Sequence, residues 1–309
     1  MVHTAEGAAL RFAKRDVRMN GAALDPSGLR VLRVAVDDES AVGRQDADAH
    51  PSPVSTPAFA EWSARLGTAA AMPNVYMPEA PRLSRPGAGP TVFTGAPVDA
   101  LTRRYLTVAR DAVALRARAR LAQWLAVRSA IDVGRPVRWT SFGCGPAVAL
   151  IAGAAEAREA GADPRVTFVD TCEDSLGVTR RLLAAHSVDA EQHRFLTRGE
   201  ALASLDPPIE TESQDFVEAL DLLVERSGEA AAQALSHVFS LVRPGGAMVM
   251  SAMLADRPAA DSGAAWPVAP RWSLDDVAAL IRQAGIAVAD AMAYLTDDGV
   301  YALIEIEKL

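Results

Sequence analysis

From Val137 onward, short apolar runs alternate with longer segments whose apolar residues recur every three or four positions. The runs Val137–Phe142, Val166–Val169, Phe216–Leu220 and Ala247–Met253 are bounded by polar or turn residues, as buried strands are. A further short strand is expected at about Arg194–Thr197. Val148–Ala160, Ser175–His186, Glu229–Val242 and Leu274–Ala284 carry the period of amphipathic helices. This alternation predicts an α/β fold, a parallel sheet covered by helices. The chain then runs through Ile286–Tyr294, a turn at Asp297-Asp298-Gly299 and Val300–Glu307, which predicts a terminal antiparallel hairpin.

Upstream the pattern changes. Residues 98–130 predict one long helix, or two with a break. Leu101, Tyr105, Val108, Ala112, Leu115, Ala119, Ala122 and Ala126 draw a single stripe along it. Residues 1–97 show weak periodicity and form an irregular extension. Leu29–Val36 reads as a short strand and Pro57–Leu66 as a short helix. Prolines 73, 78, 81, 86, 90 and 97 exclude a regular helix, so 66–97 reads as an extended connection that wraps over another surface. The division is therefore 1–97 irregular, 98–134 a helical lid segment and 135–309 an α/β domain.

A chain of 309 residues buries a sizeable core without disulfides or a structural metal. Its two cysteines, Cys144 and Cys172, form no CxxC pair and suggest neither a disulfide framework nor a zinc site. The net charge of −8 and pI near 5.2 make nucleic acid and anionic membrane poor partners, which leaves a small-molecule substrate. Met1–Arg15 lacks the pattern of a signal peptide, and no apolar run approaches a membrane span. A cytoplasmic location is expected, with a homodimer as an open possibility. Nine arginines against three acidic residues between Asp99 and Arg138 read as a solvated basic face. The alternative is that one or two of them hold an anionic substrate group.

The chemistry centres on Trp139-Thr-Ser-Phe-Gly143-Cys144-Gly145-Pro146-Ala147. A buried strand enters a glycine turn, and the helix that follows presents free N–H groups to a ligand. The next strand ends in Asp170, 25 positions after Gly145, where a carboxylate meets the hydroxyls of a ribose. Gly199-Glu200-Ala201 follows the third strand, placing an acid where an adenine amino group would sit. Asp215-Phe-Val-Glu-Ala opens a fourth strand, and Arg243-Pro244-Gly245-Gly246 ends a helix and turns into a fifth, a mainly structural feature. The loop lacks the third glycine of GxGxxG, and Pro146 stands where pyrophosphate would need an N–H, which argues against a nicotinamide enzyme.

In this order the segments resemble the class I S-adenosylmethionine (SAM)-dependent methyltransferases, over about residues 135–309. The basic helical segment is similar to an N-terminal extension in a subgroup described as hydroxy-fatty-acid methyl ester synthases. No metal is expected from the residue pattern; the resemblance implies a Rossmann-like sheet and SAM as cofactor. It implies that Gly143, Cys144, Gly145 and Pro146 carry the methionine part of SAM, that Asp170 with Thr171 beside it holds the ribose, and that Glu200 and Ala201 face adenine. Ala219 to Leu223 would line the methyl and acceptor region. The family's acidic residue two before the first glycine is here Ser141, and its third glycine is Ala147. Glu218 or Asp221 is the candidate replacement for the missing acid.

Methyl transfer needs a nucleophile held in line with the sulfonium. Glu218, Asp221 and Tyr105 are the catalytic candidates, with His186 and His237 as further bases and Tyr105, Tyr294, Trp266 and Trp272 as aromatic walls. Cys144 is not expected to act as a nucleophile. The acceptor is an O, N or carboxylate group on a small molecule. Two other readings stay open: a cyclase or aminocarboxypropyl transferase that releases methylthioadenosine from SAM, and a SAM-binding protein without catalysis.

Overall fold

A computed structural model of the chain describes residues 17–24, 29–36, 55–69, 71–78, 98–131, 133–197, 209–224, 226–259, 266 and 269–309. Its strands are β1 (Val17–Leu24), β2 (Arg30–Val36), β3 (Val137–Phe142), β4 (Pro164–Asp170), β5 (Arg194–Thr197), β6 (Gln214–Ala219), β7 (Val242–Leu254), β8 (Arg271–Trp272), β9 (Val288–Thr296) and β10 (Tyr301–Lys308). The helices are α1 (Pro57–Ala64), α2 (Met72–Tyr76), α3 (Ala100–Val108), α4 (Arg110–Ala130), α5 (Val148–Glu159), α6 (Glu173–Ala185), α7 (Gly228–Ser240) and α8 (Leu274–Gln283).

One sheet runs in the order β1-β2-β9-β10-β7-β6-β3-β4-β5, with β8 beside the end of β7. The strands β5, β4, β3, β6 and β7 are mutually parallel, and β10 lies antiparallel between β7 and β9. This is the Rossmann-like fold expected from the sequence, with its antiparallel C-terminal hairpin. The chain passes from β3 outward to β4 and β5, then returns to the other side of β3 for β6 and β7. The crevice at that reversal, outside the carboxyl ends of the strands, is where such sheets bind ligands.

Burial explains the apolar runs. Every residue of β6 is buried, because helices cover both faces of the sheet. Successive residues serve opposite layers: Phe216 joins Trp139, Phe168, Leu121 and Ile151 on one side, and Val217 joins Met248, Met250, Leu235 and Val238 on the other. In β7 the Arg243-Pro244-Gly245-Gly246 segment lies within the strand as an irregularity, between the pairs Gln214–Val242 and Phe216–Ala247. Gly246 is required there, since a Cβ would stand 2.9 Å from the Asp215 carbonyl oxygen.

The N-terminal part departs from expectation. β1 and β2 form an antiparallel hairpin, and β2 adds in parallel to β9, so the extension enlarges the sheet. The connection 66–97 is interrupted by α2, which accepts Pro73 in its first turn, where a missing N–H costs nothing. The prolines at 81, 86, 90 and 97 lie outside the described residues. The segment 98–130 divides at Ala109, whose extended ψ of 129° ends α3 and starts α4. Leu101, on the expected stripe, is exposed. α4 is buried on nearly every side, with Arg116 and Arg118 among its buried residues, which corrects the reading of a solvated basic face. Its alanines allow α5 to come close: a Cβ at Gly153 would lie 3.5 Å from the Gln123 carbonyl oxygen. Packed this way, the helix is part of the core. Among the described residues no helix is long and apolar enough to cross a membrane.

Candidate active site

At the carboxyl end of β3 the backbone takes positive φ at Gly143 (60°), Gly145 (49°) and Ala147 (50°) before α5 begins at Val148. This coil lines a cavity of about 950 Å³. A Cβ at Gly143 or Gly145 would meet nothing within 4 Å, so the loop presents open backbone that a ligand can approach. Asp170, at the end of β4, fixes the loop. Its Oδ2 accepts from the Gly145 N–H at 2.8 Å and its Oδ1 from the Cys172 N–H at 2.8 Å. Lone pairs remain on both oxygens for ligand hydroxyls. The Thr179 hydroxyl donates to the Gly145 carbonyl at 2.9 Å and secures the other side of the coil. The buried Cys144 thiol is pushed well above its usual range by burial and by the Asp170 charge, so it stays a neutral packing group.

Ser141 lies beside Glu218 in the β3–β6 register, and its hydroxyl donates to the Glu218 carboxylate. Glu218 is a cavity residue and 6% exposed. Burial pushes its carboxyl up to about 7, with the Asp221 charge adding to the rise and the Ser141 hydrogen bond and Arg118 opposing it. The Glu218 carboxylate thus reaches the cavity from the strand beside Ser141. Ala147 holds the left-handed conformation that a glycine would take there freely.

Arg118 enters the cavity from α4. Its Nη1 donates to Asp221 Oδ1 at 2.7 Å and to Ser251 Oγ at 3.2 Å, and its guanidinium lies over the Tyr301 ring, 5.1 Å from the centroid. Tyr76, Tyr301, Asp111, Met72, Leu115 and Trp266 also line the cavity. Burial and the Asp221 charge both raise the Tyr301 hydroxyl, to about 12, so it is a proton donor at neutral pH.

The cavity gathers Gly143, Cys144, Gly145, Pro146, Asp170, Thr171, Glu218, Ala219 and Asp221 from the expected residues. Ser141 stands one layer behind, acting through Glu218. Tyr105 is set apart from the cavity lining. It is packed edge-on to Phe59, and its hydroxyl accepts from Trp266 Nε1 at 3.1 Å, so Tyr105 supports a wall residue and is misplaced for catalysis. Tyr294 packs on Trp124 and donates to Glu305, and Trp272 sits in the core beneath α8. His186 caps the end of α6 and His237 lies within α7, both away from the lining. Glu200 and Ala201 lie outside the described residues. Sequence reasoning did not single out Arg118, Asp111, Tyr76 or Tyr301. Asp111, Leu115 and Arg118 do share one helical face, which is a readable signal. No acidic, histidine or cysteine cluster suited to a metal ion occurs among the described residues.

No protein-family model matches the chain, and no curated protein matches it. The fold recurs in a solved structure of a possible exported protein from Bordetella parapertussis, at 16% identity and a TM-score of 0.58, covering 81% of this chain and 86% of that one. Looser overlaps include the SAM-dependent methyltransferase SibL (19% identity, TM-score 0.48, 82% of this chain and 70% of that one). Magnesium protoporphyrin IX methyltransferase from Synechocystis, with bound S-adenosylhomocysteine, is another (17%, 0.48, 70% and 90%). At these identities and scores the likeness is one of fold and bears on nothing further.

Proposed function

We propose that this protein is a SAM-dependent transferase acting on a small molecule, most simply a methyltransferase. The observation that carries the reading is the Asp170–Gly145 hydrogen bond at the cavity floor, which couples an acidic strand end to an open glycine coil. That pairing suits a nucleoside whose ribose meets the carboxylate while its polar tail lies along the coil. Glu218 suits the cationic methionine end of SAM, and the rest of the cavity has room for an acceptor. When bound, SAM supplies a carbon already activated by the sulfonium. The chain's part is then to hold an acceptor in line with it and exclude water. Asp221, half exposed and held by Arg118, borders the space left for the acceptor.

Neither departure from the family pattern argues for lost catalysis. Glu218 stands in for the acid absent at Ser141, and Ala147 adopts the backbone of the absent glycine. Titration calorimetry with SAM and with S-adenosylhomocysteine tests the cofactor, and absence of heat for both would overturn the proposal. Mass spectrometry of protein incubated with SAM alone tests which carbon is attacked. Intact SAM fits a methyltransferase awaiting its acceptor, and enzyme-dependent methylthioadenosine shifts the assignment to a cyclase or aminocarboxypropyl transferase.

A further inference from the structure

Among the arginines that line the cavity is Arg118, firmly engaged on one edge only. Arg118 has a 4% exposed side chain, and its Nη1 is taken by Asp221 and Ser251. Along the other edge, Nη2 makes one long contact, 3.4 Å to the Tyr76 hydroxyl, and Nε has no hydrogen-bond partner among the described residues. Nε–H and the adjacent Nη2–H form the parallel pair that matches the two oxygens of a carboxylate. A buried guanidinium N–H without a partner costs free energy that a ligand oxygen returns. Another buried guanidinium, Arg257, is already neutralised by Asp111 at 2.7 Å, with both side chains 4% exposed. With Asp111, Asp221 and Glu218 around it, the site tolerates one negative charge from a ligand better than two. Tyr76, Tyr301, Trp266, Met72 and Leu115 give the remaining wall an aromatic and apolar character.

We propose that Arg118 recognises the acceptor and that the acceptor is a small aromatic monocarboxylate. Its carboxylate is a handle on the Nε–Nη2 edge, and its ring lies among Tyr76, Tyr301 and Trp266. The inference rests on the transferase reading, in which the part of the cavity around Arg118 takes the acceptor. Asp221 is the competitor for the guanidinium. Its side chain is 50% exposed, so it can swing into water as the ligand binds.

Benzoate and benzamide, alike in shape and different in charge, are the probes, followed by ligand-detected NMR on the full chain. Benzoate is expected to bind at least about tenfold more tightly than benzamide, the scale of a charge-assisted hydrogen bond. Asp221→Asn removes the competitor and is expected to tighten benzoate by about tenfold, whereas a merely structural Arg118–Asp221 pair would give no gain. Arg118→Gln is expected to abolish the preference; the wild-type comparison and Asp221→Asn keep the test decisive if that variant fails to fold. Equal binding of the two probes, or unchanged benzoate affinity in Asp221→Asn, overturns the proposal. S-adenosylhomocysteine titrated separately distinguishes the two levels. If it binds and benzoate does not, the Arg118 assignment falls and the transferase reading stands. If benzoate binds through Arg118 and S-adenosylhomocysteine does not, the carboxylate site stands without its cofactor.

Discussion

The hydroxyl of Ser141 donates to the carboxylate of Glu218 across adjacent parallel strands, at the point where the glycine coil leaves β3. In the proposed function the Glu218 carboxylate, buried in the cavity lining, faces the cationic end of SAM. Glu218→Gln is therefore expected to weaken SAM by roughly tenfold or more, because a cation loses its charged partner. With the carboxyl pushed up to about 7 by burial, the charged form that attracts SAM is populated only above that value. SAM affinity should rise from pH 6 to pH 8 in the wild type and stay flat in the variant, as titration calorimetry would read. The stability effect has the opposite sign. A carboxyl whose folded pKa lies above its unfolded value near 4.5 contributes stability at acid pH that is lost as pH rises to about 7. At pH 8 the ligand-free Glu218→Gln protein should thus be the more stable, by up to about 3 kcal/mol. A Glu218→Gln protein that bound SAM normally would remove Glu218 from the site.

Asp170 does two things with one carboxylate. It ties Gly145 and Cys172 through their N–H groups, and it faces the cavity. Asp170→Ala is expected to lower SAM affinity about a hundredfold, the loss of charge-assisted hydrogen bonds to two hydroxyls. Asp170→Asn should lose less, since its carbonyl still accepts one backbone N–H. Unchanged affinity in Asp170→Ala would take this residue out of the ribose position.

The elements that position the site were legible because each follows from local pattern. β3, β4 and β6 are buried on both faces, which leaves short segments rich in apolar residues, and the glycines at 143 and 145 mark the turn. What was not legible depends on partners distant in sequence. The Ser141–Glu218 pair joins strands whose register no local period encodes. Arg118 looked like one of nine solvated arginines because its burial comes from Asp221, Ser251 and Tyr301, all more than 100 positions away. The break at Ala109 carries no glycine or proline to announce it. Tyr105 sat on the right helical face, but the face is covered by Trp266 and Phe59 before it reaches the cavity.

Ala147 has φ of 50° at the mouth of α5, and its N–H donates to the Cys144 carbonyl at 2.7 Å, so the conformation is fixed by the coil. A side chain in this region costs about 1–2 kcal/mol, and glycine gives back part of that gain through the entropy of the unfolded chain. Ala147→Gly is expected to stabilise the protein by about 0.5–1 kcal/mol, and Ala147→Val to destabilise it by more, its branched side chain being poorly suited to positive φ. Denaturant titration measures both. A loss of stability in Ala147→Gly would show that the alanine methyl packs more favourably than its backbone is strained.

Asp215 lies at the opposite end of β6 from the site, with a side chain only 1% exposed. It accepts from Arg135, from Arg243 and, at 2.8 Å, from the Arg138 N–H, joining β3, β6 and the irregular start of β7. Burial alone would raise its carboxyl, but the hydrogen bonds from Arg135, Arg138 and Arg243 hold it below the usual carboxylate range. A depressed folded pKa contributes stability present above the unfolded value near 3.8 and lost as pH falls through the folded one. Both arginine partners reach solvent and stay hydrated without Asp215, so the loss falls mainly on the Arg138 N–H and the screened ion pairs, and Asp215→Ala should cost about 1–2 kcal/mol at pH 7. That difference should narrow in acid, where the wild-type carboxyl is itself protonated. SAM affinity should stay unchanged, since the cavity lies at the other strand end. A variant that lost SAM binding while keeping its melting temperature would instead tie the Arg-Pro-Gly-Gly segment to the site.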